Sequence, residues 1–367
     1  MTIIAALLIF TLVVLVHELG HFWAARRAGI FVEEFSIGMG PRLISFVKNE
    51  TRYSLKLFPI GGSCLMLGED EAADDARSFG SKSVRWRIVV IAAGAIMNFV
   101  LALVIFTVMA MFTDTANTTV RGFTATSPVQ EAGVQIGDRI VRVNGRSMNV
   151  FGNFNLEMLR TGGNPVDIVV ERDGVLHSFT ITPYYTDERH LLGFVPGLTV
   201  APFSAETMTA EDGRIIYIDQ LEGVRRASFF ESLGRGFNDM LFSIELVIFS
   251  LGLIITGNFN IGDMMGPLGI VATVGEQIEG GMAAGGGLVA FWSALNFAAL
   301  ISANLGVFNL LPIPALDGGR LVFLTIEGVR RKPINPDKEG MVHFVGLMAL
   351  LVLIAFVTYQ DILRLFA

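Results

Sequence analysis

Two histidines and a glutamate interrupt an otherwise apolar run. The stretch "LVVLVHELGHFWAARRAG", Leu12–Gly29, sets His17, Glu18 and His21 in the middle of its hydrophobicity. On a helix, positions i and i+4 share one face. Two neutral imidazoles so placed can take adjacent corners of a tetrahedral zinc site, and the acid between them can accept a proton from water. Ionisable groups within a membrane-length segment are costly, and a coordinated cation would satisfy all three. A catalytic zinc takes three protein ligands as a rule, so a distant segment must supply one more. "NLGVFNLLPIPALDGGRL", Asn304–Leu321, offers Asp317. There Pro312 and Pro314 end a helix, and Gly318 and Gly319 allow tight backbone. The alternative is that Asp317 merely N-caps the helix that follows.

The elements that must carry these residues have membrane character. Of 367 residues, 52% are hydrophobic and 17% charged, whereas soluble domains sit nearer a quarter charged. The net charge of −7, with no basic block, excludes nucleic acid as a partner. One cysteine, Cys64, excludes a disulfide framework or a multi-cysteine metal site and reads as a free thiol. The first apolar run lacks a basic lead and a small-residue cleavage site, so it reads as a retained span.

Four segments have spanning length and apolarity: Ile3–Ala24, Ile88–Phe112, Leu288–Leu311 and Met341–Tyr359. Met240–Thr256 is borderline, with Glu245 at its centre. If it crossed, Asp317 would emerge on the face opposite His17 and His21, roughly 20 Å away in a core about 30 Å thick. It therefore reads as an external helix, packed on soluble mass or lying in the interface. Arg26, Arg27, Arg42, Lys48, Arg52, Arg85 and Arg87 flank the first loop, and Arg320, Arg330, Arg331 and Lys332 follow the third span. Placing both groups inside puts both termini and the polar middle of the chain outside.

Between the first two spans, "FSIGMGPRLISF" and "YSLKLFPIGGSCLMLGE" read as short strands, with Gly61 and Gly62 permitting close backbone approach. "GGMAAGGG", Gly280–Gly287, reads as a flexible approach to the third span. The polar middle holds "SPVQEAGVQIGDRIVRVNG", Ser127–Gly145, with glycine turns, a hairpin signal at "VNG" and alternating strands at "VDIVVERDG" and "HSFTIT". This resembles a PDZ domain of bacterial proteases over about Val120–Pro183, in a single copy. The expected domains are 1–112 (two spans and a membrane-associated β region), 113–186 (PDZ-like), 187–287 (an extracytoplasmic segment holding the helix 240–256) and 288–367 (two spans).

HELGH in the first span, the PDZ-like insert and "NLLPIPALDGG" together resemble the site-2 protease family of intramembrane zinc metalloproteases, nearest the regulator-of-sigma-E type. "AAGAIMNF" and "GPLGI" add to the likeness, while Ala95 stands where the family usually has proline. The resemblance implies one zinc per chain on His17, His21 and Asp317, with Glu18 as general base. It also implies substrate-contacting roles for Asn309 and Asn98, joined by Gly61 and Gly62 if a substrate strand adds there. Its implied fold is a polytopic α-helical membrane protein with four transmembrane helices, a membrane-associated β-hairpin region and an extracytoplasmic PDZ domain. The implied activity is cleavage of already trimmed single-pass membrane proteins, such as anti-sigma factors or remnant signal peptides, in the bacterial inner membrane. A catalytically silent membrane scaffold that binds tails through its PDZ-like domain is the alternative, although a scaffold has no need of Glu18. A metal transporter would need acids and histidines along several spans.

Overall fold

The computed structural model describes residues 2–69, 73–186, 189–203, 207–209, 215–217, 224–258, 265–332 and 334–366. The chain opens with helix α1 (Thr2–Arg27), strands β1 (Val32–Lys48) and β2 (Thr51–Met66), and helix α2 (Val84–Phe112). Next come β3 (Thr115–Phe123), α3 (Pro128–Glu131), β4 (Arg139–Val143), β5 (Arg146–Ser147), α4 (Phe151–Thr161), β6 (Val166–Arg172) and β7 (Val175–Ile181). Short strands follow: β8 (Tyr184–Thr186), β9 (Arg189–Leu191), β10 (Phe194–Val200), β11 (Thr207–Thr209), β12 (Ile215–Tyr217) and β13 (Val224–Arg226). Four helices close the chain: α5 (Phe229–Ile255), α6 (Pro267–Leu310), α7 (Asp317–Arg330) and α8 (Pro336–Phe366). Two compact units result, one joining Met1–Ala102 to Val247–Ala367 and the other comprising Leu103–Leu246.

Among the described residues, α1, α2, α5, α6 and α8 are long and apolar enough to cross a membrane. That is one more than the four segments read from sequence. The additional helix, α5, begins eleven residues before the apolar stretch at Met240.

The first unit packs α1 against both β strands and α6. Along α1, the buried positions Val13, His17, Gly20, His21 and Ala25 form one stripe at helical spacing. Gly20 is needed there, because a Cβ would run into the backbone of Ala93. The β region is one continuous antiparallel pair rather than several short strands. Phe35 of β1 has partners at both Tyr53 and Cys64, so Val32–Ile37 lies between two segments of β2. The outer edge of Gly62–Met66 has no strand partner among the described residues.

The glycine-rich Gly280–Gly287 departs from its sequence reading. It is helical up to a break at Gly285 and Gly286, where Gly286 takes φ 75°, ψ −161°. Only glycine adopts that conformation without strain. The break folds α6 so sharply that Gly281 packs on the backbone of Ala290. Tertiary packing of this kind overrides the weak helix propensity of glycine. At its start α6 is held by Asp361 of α8, whose buried carboxylate accepts from Gly266 N–H (3.1 Å) and Gly269 N–H (2.8 Å).

The second unit is a sheet in the order β13-β10-β3-β4-β6-β7, with β5 paired to β4. Strict alternation in β6 buries Val166, Ile168 and Val170 completely while Asp167 faces out. These residues join Val120, Val129, Ile140 and Val143 in a single core. The "VNG" signal forms the β4–β5 turn, with Asn144 and Gly145 both at positive φ. Asp138, 1% exposed, accepts from Gln135 N–H and from two nitrogens of Arg172 at 2.7 Å. The α5 residues in this unit pack on α4: Phe242 covers Gly152, and Glu245 accepts from Arg160 (2.8 Å) and Asn153 (3.0 Å).

Candidate metal centre

His17 and His21 lie on the inner face of α1, each under 8% exposed. The chain reverses after α6 through Leu311–Leu316 and brings Asp317, the first residue of α7, opposite them. That reversal is tight enough to require Gly318 and Gly319, since a Cβ on either would overlap backbone of the same loop. Ala315 is held at φ 77°, and its N–H donates to His343 Nδ1 of α8 at 3.0 Å. His343 therefore fastens the loop. α7 is capped at Leu316 without a side-chain bond, so Asp317 does not act as its N-cap.

The donor atoms converge. The two imidazole Nε2 atoms are 3.1 Å apart, and Asp317 Oδ2 is 3.2 Å from that of His17 and 3.3 Å from that of His21. Ligands bound at about 2.0–2.1 Å on tetrahedral angles stand roughly 3.3 Å from one another. Asp317 Oδ2 is buried and is satisfied by no hydrogen bond, its nearest polar neighbours being the two imidazole nitrogens. An orphaned carboxylate oxygen between two imidazole nitrogens fits a cation. It is also the one group of three metal-binding side chains with converging ligand atoms among the described residues.

The imidazoles are fixed from behind. His21 Nδ1 bonds Val90 C=O at 2.9 Å. His17 Nδ1 faces the amides of Asn98 (3.3 Å) and Asn309 (3.4 Å). Both asparagines thus stand behind His17, away from the converging Nε2 atoms. Space for the two rings comes from Gly94, where a Cβ would overlap His21 Nε2 and His17 Cε1. Gly94 and Asn98 are four apart and share a face of α2. Nothing in the residue types alone marks Gly94, though that spacing to Asn98 is legible.

A cavity of about 470 Å³ opens on the centre, lined by His17, Glu18, His21, Gly62, Cys64 and Asp317. Gly62 brings β2 onto α1, and a Cβ there would stand 3.1 Å from Glu18 Cγ. Cys64 N–H donates to the Glu18 carboxylate. Burial pushes the Cys64 thiol up, and its sulfur is not among the converging ligand atoms of His17, His21 and Asp317. Gly61 is not in the cavity wall; its φ of 83° turns the strand beside Met39. Sequence reasoning passed over the charged part of the wall, where Glu34 pairs with Arg42 and Lys56, and Glu69 with Arg320. Hydrogen bonds from Arg42 hold the Glu34 carboxyl down at about 2, against the effect of burial.

Comparison with known proteins decides the family. A family model described as "Peptidase family M50" matches residues 5–353. The chain belongs to peptidase family M50. The resemblance read from its motifs is to this same family, so the chain is a peptidase by descent. Among its relatives in this family, the Zinc metalloprotease RasP of Bacillus licheniformis is 32% identical over all of this chain and 99% of its own length. The Zinc metalloprotease RasP of Shouchella clausii is 30% identical, with both chains covered in full. A Clostridium perfringens protein provisionally named a zinc metalloprotease is 36% identical over 99% of both chains.

Proposed function

We propose that this M50 peptidase is a zinc-dependent intramembrane protease that cuts the transmembrane segments of single-pass membrane proteins already trimmed outside. The observation that carries this is the convergence of His17, His21 and Asp317 beside Glu18, two of the three ligands lying on a helix apolar enough to span. His17 is 14 residues from Ile3, about 21 Å along the helix, which supports a centre within the bilayer. The relatives' names support zinc as the metal.

When bound, zinc supplies Lewis-acid activation of water and of the scissile carbonyl. Glu18, at the cavity wall, takes the proton of the attacking water and returns it to the leaving amine. A helical substrate hides its peptide bonds in internal hydrogen bonds and must unwind to be cut. The unpaired edge Gly62–Met66 offers the opened segment backbone partners by strand addition. Gly62 keeps that edge close to Glu18, and Gly61 sets the bend that leads into it. Asn309, at the end of α6 and less buried than Asn98, holds the opened segment.

In this reading α1, α2, the second part of α6 and α8 cross the membrane, with the metal toward the cytoplasm. The unit between α2 and α5 is an extracytoplasmic PDZ-like domain. Glu245 supports keeping α5 out of the bilayer, because it pairs with Arg160 and Asn153 of that unit rather than facing lipid. Anti-sigma factors and remnant signal peptides in a bacterial inner membrane are the substrates to seek. The test is comparative proteomics of membranes carrying the active chain or Glu18→Gln. Accumulation of single-pass fragments in the variant is expected, and identical fragment sets would reject the proposal.

A further inference from the structure

Behind the centre, α2 contributes a side chain that the substrate-contacting role does not explain. Asn98 is completely buried, sits one helical turn beyond Gly94, and points its amide at His17 Nδ1. Its own backbone carbonyl accepts from Ser302 Oγ of α6 at 2.8 Å, which seats this turn of α2 against α6. Asn98 Oδ1 has no hydrogen-bond partner. A buried amide oxygen without a donor is destabilising, because it has lost water and gained no partner.

A donor stands next to it. His17 directs Nε2 at Asp317 and His21, so in a metal-binding state that nitrogen keeps a lone pair and the ring proton resides on Nδ1. An Nδ1–H needs an acceptor, and among the described contacts only the two asparagine amides face it. A half turn of the Asn98 amide exchanges two ends of nearly equal size and puts the orphaned Oδ1 at the place 3.3 Å from Nδ1. Two deficits then cancel in one bond. Asn309 is 8% exposed and its oxygen is not among the buried orphans, so no unmet acceptor marks it for the same role.

We infer that Asn98 is a positioning residue for the metal centre: its amide oxygen accepts the Nδ1 proton of His17 and so fixes the tautomer and ring angle with which Nε2 faces the metal. This rests on the zinc reading above and deepens it. His21 has the same arrangement through Val90 C=O. Each histidine thereby has an acceptor from α2, one from backbone and one from a side chain. Outer partners of this type tune metal affinity without touching substrate.

The test measures zinc affinity by chelator competition in the detergent-solubilised full chain, beside cleavage at saturating zinc. Asn98→Leu keeps the size and removes the acceptor, whereas Asn98→Asp keeps an acceptor. We expect Asn98→Leu to weaken zinc binding by about 10–100-fold and Asn98→Asp to stay within about threefold of the parent chain. Asn98→Ser, too short to reach Nδ1, should match Asn98→Leu and replaces it if the leucine variant does not fold. Unchanged zinc affinity with a raised KM in the leucine and serine variants would overturn the inference in favour of substrate contact. Equal losses in the leucine and aspartate variants would overturn it in favour of plain packing. A folded parent chain without measurable zinc affinity would overturn the metal reading itself, and this inference with it.

Discussion

Gly94 of α2 faces His21 of α1 so closely that one added methyl would overlap the ring nitrogen turned toward Asp317. The two helices therefore approach at the height of the metal centre, and the hydrogen atom of Gly94 is the space in which the imidazoles turn. Gly94→Ala is expected to leave α2 helical, alanine being the better helix former. It should nonetheless displace His17 and His21 and lower turnover on the order of 100-fold. Zinc content and cleavage of the purified variant check this, and full activity would remove the close approach.

Glu18→Gln separates binding from chemistry. The amide keeps the shape of the carboxylate and leaves the three ligands in place, so zinc should remain while cleavage falls by about 10²–10⁴-fold. Turnover near that of the parent chain in detergent would discard Glu18 as the base.

Asp317→Ala removes the third ligand, whose buried oxygen makes no hydrogen bond and faces the two imidazole nitrogens. Zinc occupancy and activity should both be lost. A role in the helix alone predicts a stability loss of about 1 kcal/mol with activity kept. Metal analysis of the variant distinguishes the two.

The edge Gly62–Met66 predicts a substrate-dependent effect. Leu65→Pro removes a backbone donor from that segment, so it should impair cleavage of regular helical substrates more than of substrates carrying helix-breaking residues. Equal impairment of both would exclude strand addition.

The second unit should respond to acid through Asp138. Burial alone would raise its carboxyl, but hydrogen bonds from Arg172 and Gln135 N–H win and hold it below the ordinary value. A depressed folded value stabilises above the unfolded value of about 3.9, and that contribution is lost as pH falls through the folded value. Asp138→Asn should therefore speed hydrogen exchange at Val166–Val170 at pH 7, with the gap to the parent chain closing below about pH 4. A gap that persists in acid would place the effect elsewhere.

Much of this protein was legible in its residue order. HELGH fixes its own geometry, because two residues four apart on a helix must share a face, and "LDGG" after two prolines marks a chain reversal carrying an acid. Alternation in "VDIVVERDG" and the turn at "VNG" are likewise local, set by side-chain period and backbone φ. The glycine run Gly280–Gly287 was misread because its helical state depends on packing of Gly281 against Ala290 across the break, a contact no local propensity contains. Only the tertiary structure decided where the asparagines point. Asn98 and Asn309 lie 81 and 292 positions from His17, yet both reach the same ring nitrogen. The role of Gly94 was hidden for the same reason. A residue without a side chain acquires meaning from what lies opposite, and what lies opposite is settled by helices meeting across the core rather than by neighbours along the chain.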